Sequence, residues 1–397
     1  MFKMKTAGVI LFSGWALALP AQSVSENNNQ FAFELFAKLE KNDKNVFLSP
    51  YSISTALAMT YTGAKGKTAE CMEKVMHFSG GKEKVSSDFS ELMSGINSLN
   101  GKDIEINVAN RLYGNKGTEF VQEFLNNLEK KFNAPLEKMD FKNDPEGCRK
   151  IINKWVEDKT KNRIKELLKP NILTPDTRLV LVNAIYFYGD WAHQFDSAMT
   201  KKGDFFLNEQ EKKEAQLMWQ KHSFEYMEAD GIKAVRLPYK GNTLSMEIFL
   251  PDKKDGIGEL EKKFNQENYS KWIKKFFPQQ VHLTLPKFKM TTDFKLEEIL
   301  KPMGMELAFS DFADFSGMSV KTLMKIDKVI HKAFVEVSEK GTEAAAATAV
   351  IMEEITSAYR QRETYKIFKA DHPFLFTLRD NKTGSILFMG KVNDPTL

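Results

Sequence analysis

Glu339-Lys340-Gly341-Thr342-Glu343-Ala344-Ala345-Ala346-Ala347-Thr348-Ala349-Val350-Ile351-Met352-Glu353-Glu354-Ile355-Thr356 is the stretch on which the reading of this chain turns. A strand-like apolar pattern ends just before it, near Val337, and core-like sequence resumes only at Ile367. So long a run without a packed element is uncommon inside a compact domain and is usually functional. Proline and asparagine, ordinary turn formers, are absent from it. The alanines would suit a short helix, since alanine is the best helix former. A period of two says more. Thr342, Ala344, Ala346, Thr348, Val350 and Met352 are all small or apolar, and Glu343 and Glu353 both fall in the alternate set. One face could enter a core while the other tolerates solvent. The segment reads as an exposed, insertable strand, with small residues that let it slide between existing strands.

The flanking sequence supplies the sheet it would enter. Arg178 to Tyr188 is a nearly continuous apolar run, as expected of a central strand covered on both faces. Ile104–Tyr113, Ile232–Leu237, Leu244–Leu250, Val281–Leu285, Val329–Val337, Pro373–Leu378 and Ile386–Val392 read as further strands. Helical spacing appears in Phe31, Leu35 and Leu39, in Cys71, Val75 and Phe78, and in Phe120, Phe124, Leu128 and Phe132. Asp144 is placed to cap a helix that begins with Pro145 and runs through Ile151, Ile152 and Trp155. Short helices are expected at Gly256–Phe264 and Asn268–Phe276. Strands and helices mixed without regular alternation predict an α+β fold.

Catalytic chemistry is not written in the sequence. There is no Gly-x-Ser-x-Gly elbow, His-Glu-x-x-His helix, phosphate-binding glycine loop or Cys-x-x-Cys pair. None of the six histidines has metal-ligand spacing to another, so no metal and no cofactor is expected. A net charge of +4 predicts no obligatory nucleic-acid partner. The clusters Lys262-Lys263 and Lys271 to Lys275 suit a solvated helix face; a polyanion such as heparin is the minority reading. Cys71 and Cys148 are too few for a disulfide framework and could pair or stay free.

Lys3 and Lys5, the apolar stretch Ala7–Leu19 and the small residues Ala16, Ala18 and Ala21 describe a secretory signal peptide. Cleavage is expected after Ala18 or Ala21, leaving residues 22–397 as one domain that is secreted and extracellular. The stretch is short for a membrane span. The sequons at Asn268 and Asn381 fit export of a glycoprotein.

With these residues in place, the chain resembles the serpins over nearly its whole length. Glu339-Lys340-Gly341-Thr342-Glu343 and the alanines that follow look like the serpin hinge. Phe368-Lys369-Ala370-Asp371-His372-Pro373-Phe374-Leu375-Phe376 looks like the family signature after the reactive loop, and Leu387-Phe388-Met389-Gly390-Lys391-Val392 is similar to the final strand. Ser49-Pro50-Tyr51-Ser52-Ile53 resembles the helix beneath the sheet opening, and Asn183-Ala184-Ile185-Tyr186-Phe187-Tyr188-Gly189-Asp190-Trp191 the strand at that opening. The resemblance implies three β-sheets, eight or nine helices, an exposed reactive-centre loop at about 339–366 and a metastable native state. It implies an inhibitor, not an enzyme: a monomer whose loop is cut by a serine protease and then inserts with the acylated protease attached. Glu339, Lys340, Gly341, Thr342, Glu343, Ala344, Ala345, Ala346, Ala347 and Thr348 would be the hinge. Ser49, Ser52, Asn183 and His331 would form a polar switch holding the sheet closed, with Trp191 and a Glu339–Lys287 pair at its top. A carrier or chaperone serpin is the alternative, and such members tend to have bulky or charged hinge residues, which this chain lacks.

Two counts locate the bond to be cut. Serpins usually place the scissile residue fourteen after the hinge glycine, which from Gly341 is Ile355 and gives Ile355–Thr356. Counting back from Asp371-His372-Pro373-Phe374 favours residues between Ala358 and Arg362, because this loop is long. The forward count is preferred: a strand of 14 residues at about 3.3 Å each spans roughly 46 Å, and seven more would add up to about 23 Å of slack. Ile355 suits an elastase-like pocket. Tyr359, Arg360 or Arg362 as bait would turn the target towards chymotrypsin-like or trypsin-like enzymes, and cysteine proteases stay open.

Overall fold

The computed structural model describes residues 23–39, 44–342 and 365–397. The signal-peptide region, Glu343–Thr348 of the expected hinge and every candidate bait residue from Ile355 to Arg362 lie outside them. Fifteen strands and nine α-helices occur among the described residues. The strands are β1 Val46–Leu48, β2 Ile104–Asn115, β3 Glu137–Met139, β4 Leu179–Asp190, β5 Lys201–Phe206, β6 Lys212–Ala229, β7 Ile232–Pro238, β8 Leu244–Pro251, β9 Phe277–Pro286, β10 Phe288–Lys295, β11 Lys328–Val337, β12 Gly341–Thr342, β13 Lys366–Lys369, β14 Phe374–Asp380 and β15 Ile386–Val392. The helices are α1 Val24–Leu39, α2 Pro50–Tyr61, α3 Gly66–Met76, α4 Gly81–Asn97, α5 Gln122–Phe132, α6 Pro145–Lys159, α7 Ile257–Lys263, α8 Gln266–Trp272 and α9 Glu297–Leu300.

A six-stranded sheet runs in the order β10-β11-β12-β4-β2-β3, with β11 and β4 also paired directly. A nine-stranded sheet runs β1-β15-β14-β8-β7-β6-β9-β13, with β5 attached to β6. The 18-residue β6 splices this larger sheet from two parts. Its start pairs with β5 and its end with β7, while β9 runs beside its middle.

Local chemistry explains most elements. Asp144 caps α6 by accepting the Gly147 N–H at 2.8 Å, and Pro145 fills the first turn, where no donor is needed. Phe124, Leu128 and Phe132 make the buried stripe of α5, which Asn133 ends with φ +49°. Helix α3, which starts at Gly66 and carries Cys71 and Val75, stops at Met76, because His77 takes φ +55°; Phe78 lies beyond it. From Leu179 to Phe187 every residue of β4 is buried. Val180, Val182, Ala184 and Tyr186 pack on the α6 side with Ile152 and Val156, and Ile185 and Phe187 join the core of the nine-stranded sheet. Strand β4 therefore lies between two apolar layers. Among the described residues no helix is long and apolar enough to cross a membrane.

Candidate functional site

Strands β4 and β11 run parallel and pair from Val180–Lys328 to Tyr186–Phe334. Above that seam they part, and β12 stands between them. Gly341 and Thr342 face Asp190 and Gly189 on one side, Thr342 faces Val337 on the other, and both pairings are antiparallel. The chain reverses at Ser338–Lys340, where the Ser338 N–H donates to Gly341 O at 2.8 Å. Only glycine fits at 341: a Cβ there would lie 2.0 Å from the Gly189 carbonyl oxygen and 2.8 Å from Asp190 Cα. Thr342 is fully buried, with its hydroxyl 2.7 Å from Tyr239 Oη.

A clasp holds this turn to the segment after β4. Trp191 Nε1 donates to Ser338 O at 3.0 Å and stacks on Tyr239 at a ring separation of 4.5 Å. The Trp191 and Phe195 amides donate to Lys340 O and Glu339 O, each at 2.8 Å. Lys287 Nζ lies 2.9 Å from the Glu339 carboxylate, which also accepts from Thr200 Oγ1 at 2.9 Å. Burial alone would raise the Glu339 pKa; the hydrogen bonds, chiefly from Lys287, override it and hold the carboxyl below its ordinary value.

Lower in the seam the side chains named by the resemblance form one network. Asn183 and His331 are register partners across β4 and β11, and His331 Nδ1 meets Asn183 Oδ1 directly. The Ser49 N–H donates to His331 Nε2 at 3.2 Å, so Nε2 carries no proton and Nδ1 is the donor. Asn183 Nδ2 donates to the carbonyl and hydroxyl oxygens of Ser52, both at 2.7 Å. Ser49 Oγ caps α2 by accepting the Ser52 N–H at 3.1 Å and donates to Leu387 O at 2.7 Å. Complete burial pushes His331 down to about 3, so the ring is neutral.

Four contributors escaped the sequence reading: Tyr239, Thr200, Asn110 and Asp327. Asn110 sits beside Asn183 on β2 and donates to Ser52 O at 3.0 Å. Asp327 closes the foot of the seam, where Oδ2 accepts the Arg178 and Leu179 amides at 2.8 and 3.1 Å. No local motif marks any of them, because each acts on a partner at least 58 residues away.

The remaining candidates lie elsewhere. Asn268 is in α8, its amide donating to Lys263 O at 2.9 Å, and Asn381 follows β14, bonded to Asn242 O and Ser245 Oγ at 2.9 Å each. Cys71 and Cys148 are both free, and burial raises both thiols. Lys271 pairs with Glu267 on the exposed face of α8. No cluster of three metal-binding side chains occurs among the described residues.

What these residues assemble is a closed parallel seam between β4 and β11, held lower down by a buried side-chain network and carrying at its upper end the first residues of a further strand, β12. Residues 26–395 match the family model described as serpin (serine protease inhibitor). A leukocyte elastase inhibitor of Xenopus laevis is 43% identical over 383 residues, covering 94% of this chain and 100% of that protein. Human serpin B4 is 40% identical over 393 residues, covering 94% and 100%. Among solved structures, uncleaved ovalbumin gives a TM-score of 0.85 at 30% identity, covering 94% of this chain and 100% of that one. Serpin48 of the insect Tenebrio molitor gives 0.84 at 32% identity, covering 95% and 99%. The chain belongs to the serpin family, a family of protease inhibitors and not of enzymes.

Proposed function

We propose that this serpin is a secreted suicide-substrate inhibitor that traps a serine protease as an acyl complex by drawing its cleaved loop into the seam between β4 and β11. The observation that carries the reading is β12, a strand begun in the mouth of the seam and antiparallel to both walls. Continued past Thr342, its register would set Ala344 between Phe187 and Val335, Ala346 between Ile185 and Ala333, and Thr348 between Asn183 and His331. The small, apolar face of the loop would then meet the core shared by Phe187, Ile185, Ala333 and Val335. Insertion would exchange one parallel pairing for two antiparallel ones, and antiparallel pairing is slightly the more stable per residue. It would also break the Asn183–His331 bond, so that bond sets part of the barrier.

The same register would bring Ile355 level with Asp176 and Met324, just below the ends of β4 and β11. A protease acylated there would be pulled against the foot of the molecule, whereas one attached at Arg362 would hang on seven further residues. Ile355 and the naming of two relatives as leukocyte elastase inhibitors, from Xenopus laevis and from human, support an elastase-like target. Secretion is supported by the Lys3-to-Ala21 pattern, which precedes the matched family region.

Incubation with an elastase-like protease is expected to give a complex that survives denaturing electrophoresis and to release a peptide beginning at Thr356. Broad cleavage with no covalent complex would overturn the mechanism, and a peptide beginning at Gln361 or Glu363 would overturn the bait. Ile355→Arg is expected to shift selectivity from elastase-like to trypsin-like proteases by at least about 100-fold in association rate, the equivalent of a few kcal/mol at the primary pocket.

A further inference from the structure

Strands β6, β9 and β13 lie side by side, and side-chain alternation gives them two distinct faces. Phe224, Val281, Leu283 and Phe368 point inward and belong to the core of the nine-stranded sheet. The outward face is built from two rows read across the three strands in register, Trp219–Thr284–Lys369 and Lys221–His282–Ile367. The inward face alone supplies the core, yet the outward one carries three rings in contact. Trp219 meets His282 edge-on with ring centres 5.8 Å apart, and His282 lies 4.6 Å from the ring of Tyr365. Lys221 Nζ stands 3.6 Å from the centre of the Tyr365 ring. Ile367, the neighbour of His282 in register, is 66% exposed. His282 Nε2 is buried and has no hydrogen-bond partner among the described residues, so a polar group offered to it is rewarded. One exposed isoleucine is ordinary, but a continuous strip of aromatic and apolar surface marks an interaction site.

We propose that this strip is a docking face for the body of the target protease, a contact in addition to the bait. The proposal rests on the inhibitory reading above. The place where the loop ends points to this occupant. Tyr365 is the first described residue after the loop and is itself part of the strip. From Tyr365 back to Ile355 is ten residues, at most about 33 Å of chain, and back to Arg362 only three, about 10 Å. A single-domain protease of about 200 residues has a radius of gyration of roughly 16 Å and is therefore about 40 Å across. Its body is wider than the tether is long, so it lies against the end of the molecule that carries the strip whichever of these bonds it cuts. Trp219 and Tyr365 are the residue types that supply most interface energy. The strip fits a protease with apolar surface beside its cleft and a carboxylate within reach of Lys221. The bait then sets which bond is cut, and the strip sets which enzyme, among those sharing a primary pocket, is captured fastest.

The test uses the full chain, an elastase-like serine protease and a form of that protease whose nucleophilic serine is replaced by alanine. Trp219→Ala combined with Ile367→Ser is expected to weaken binding of the inactive protease about tenfold and to slow association of the active one by the same factor. The stoichiometry of inhibition is expected to stay at the wild-type value, because neither side chain lies in the seam. Ile367→Ser alone, at a position too exposed to disturb folding, is expected to slow association about threefold. Wild type and both variants associating at one rate, with the covalent complex intact, would overturn the docking face and leave the inhibitory mechanism standing. A wild-type chain that sediments as a dimer, and that Ile367→Ser returns to monomer, would give the strip to a second copy and overturn the proposal. No covalent complex from the wild type with any protease of a broad panel would overturn the inhibitory reading and the docking face with it.

Discussion

Thr342→Arg is expected to turn the inhibitor into a substrate, raising the number of molecules consumed per protease inactivated at least about tenfold while first cleavage proceeds within about twofold of the wild-type rate. Position 342 is fully exposed to the seam and hidden from solvent: the threonine has no accessible surface, and its hydroxyl meets Tyr239, which is itself stacked on Trp191. The partner that Thr342 Oγ1 meets there is a phenol, not a carboxylate. Leaving a charge there unpaired costs several kcal/mol, and each 1.4 kcal/mol on the insertion barrier slows it about tenfold. Deacylation of the protease is chemistry at the other end of the loop and keeps its own rate, so slower insertion hands the outcome to hydrolysis. Thr342→Ser, which keeps the hydroxyl, should stay an inhibitor. The readouts are the stoichiometry of inhibition and the ratio of complex to cleaved band on a denaturing gel. An arginine variant that still inhibits one to one would mean that the strand does not enter the seam hinge first.

What could be read from the sequence divides along a physical line. The doubly covered β4, the strands β7, β8, β14 and β15, and the capped α6 are legible because burial on fixed faces imposes a period and because Asp144-Pro145 is a local stop signal. Strand β6 is not: buried positions change parity between Ala215 and Met218, so no single alternation survives along its 18 residues. Helix α2 is buried on every side and shows no amphipathic period; only the family-like Ser49-Pro50-Tyr51-Ser52-Ile53 marks it. The edge strand β10 hides in charge, with Lys289, Asp293 and Lys295 among its residues. In the site, Ser49, Asn183, Lys287 and His331 were reachable through motif resemblance. Tyr239, Asn110 and Asp327 were not, because their roles come from what the fold sets opposite them. Asp327 matters for the length argument too, since it marks where the seam ends and therefore, on the proposed mechanism, how far an inserted strand would be supported.

Acid is expected to weaken the native state through His331 in a window where most carboxylates are still ionised. Burial holds the ring at about 3, against about 6.5 in an unfolded chain. Its stabilising share is therefore complete above pH 6.5 and is lost as the pH falls from there towards 3, because the unfolded chain takes up a proton that the closed seam refuses. Between pH 6.5 and 5 that amounts to roughly 2 kcal/mol, at about 1.4 kcal/mol per pH unit. The refusal is geometric as well as dielectric: a proton on Nε2 would confront the Ser49 N–H that donates to it. His193, lowered by burial and by the neighbouring His222, acts in the same direction, but it is more exposed and its share is screened. Urea unfolding between pH 7.5 and 5 separates the two. His331→Gln should be less stable than wild type at pH 7.5, since Asn183 and Ser49 lose a partner, yet its stability should fall more gently with acid by about one proton's worth of slope. His193→Gln should leave most of the slope in place. Equal slopes for wild type and His331→Gln would mean that the proton is taken up elsewhere. On the proposed mechanism the loop opens the seam that the Asn183–His331 bond spans, so the same acid step should shorten the lifetime of the inhibitory state, and Ser49, which orients the ring, should set how sharply.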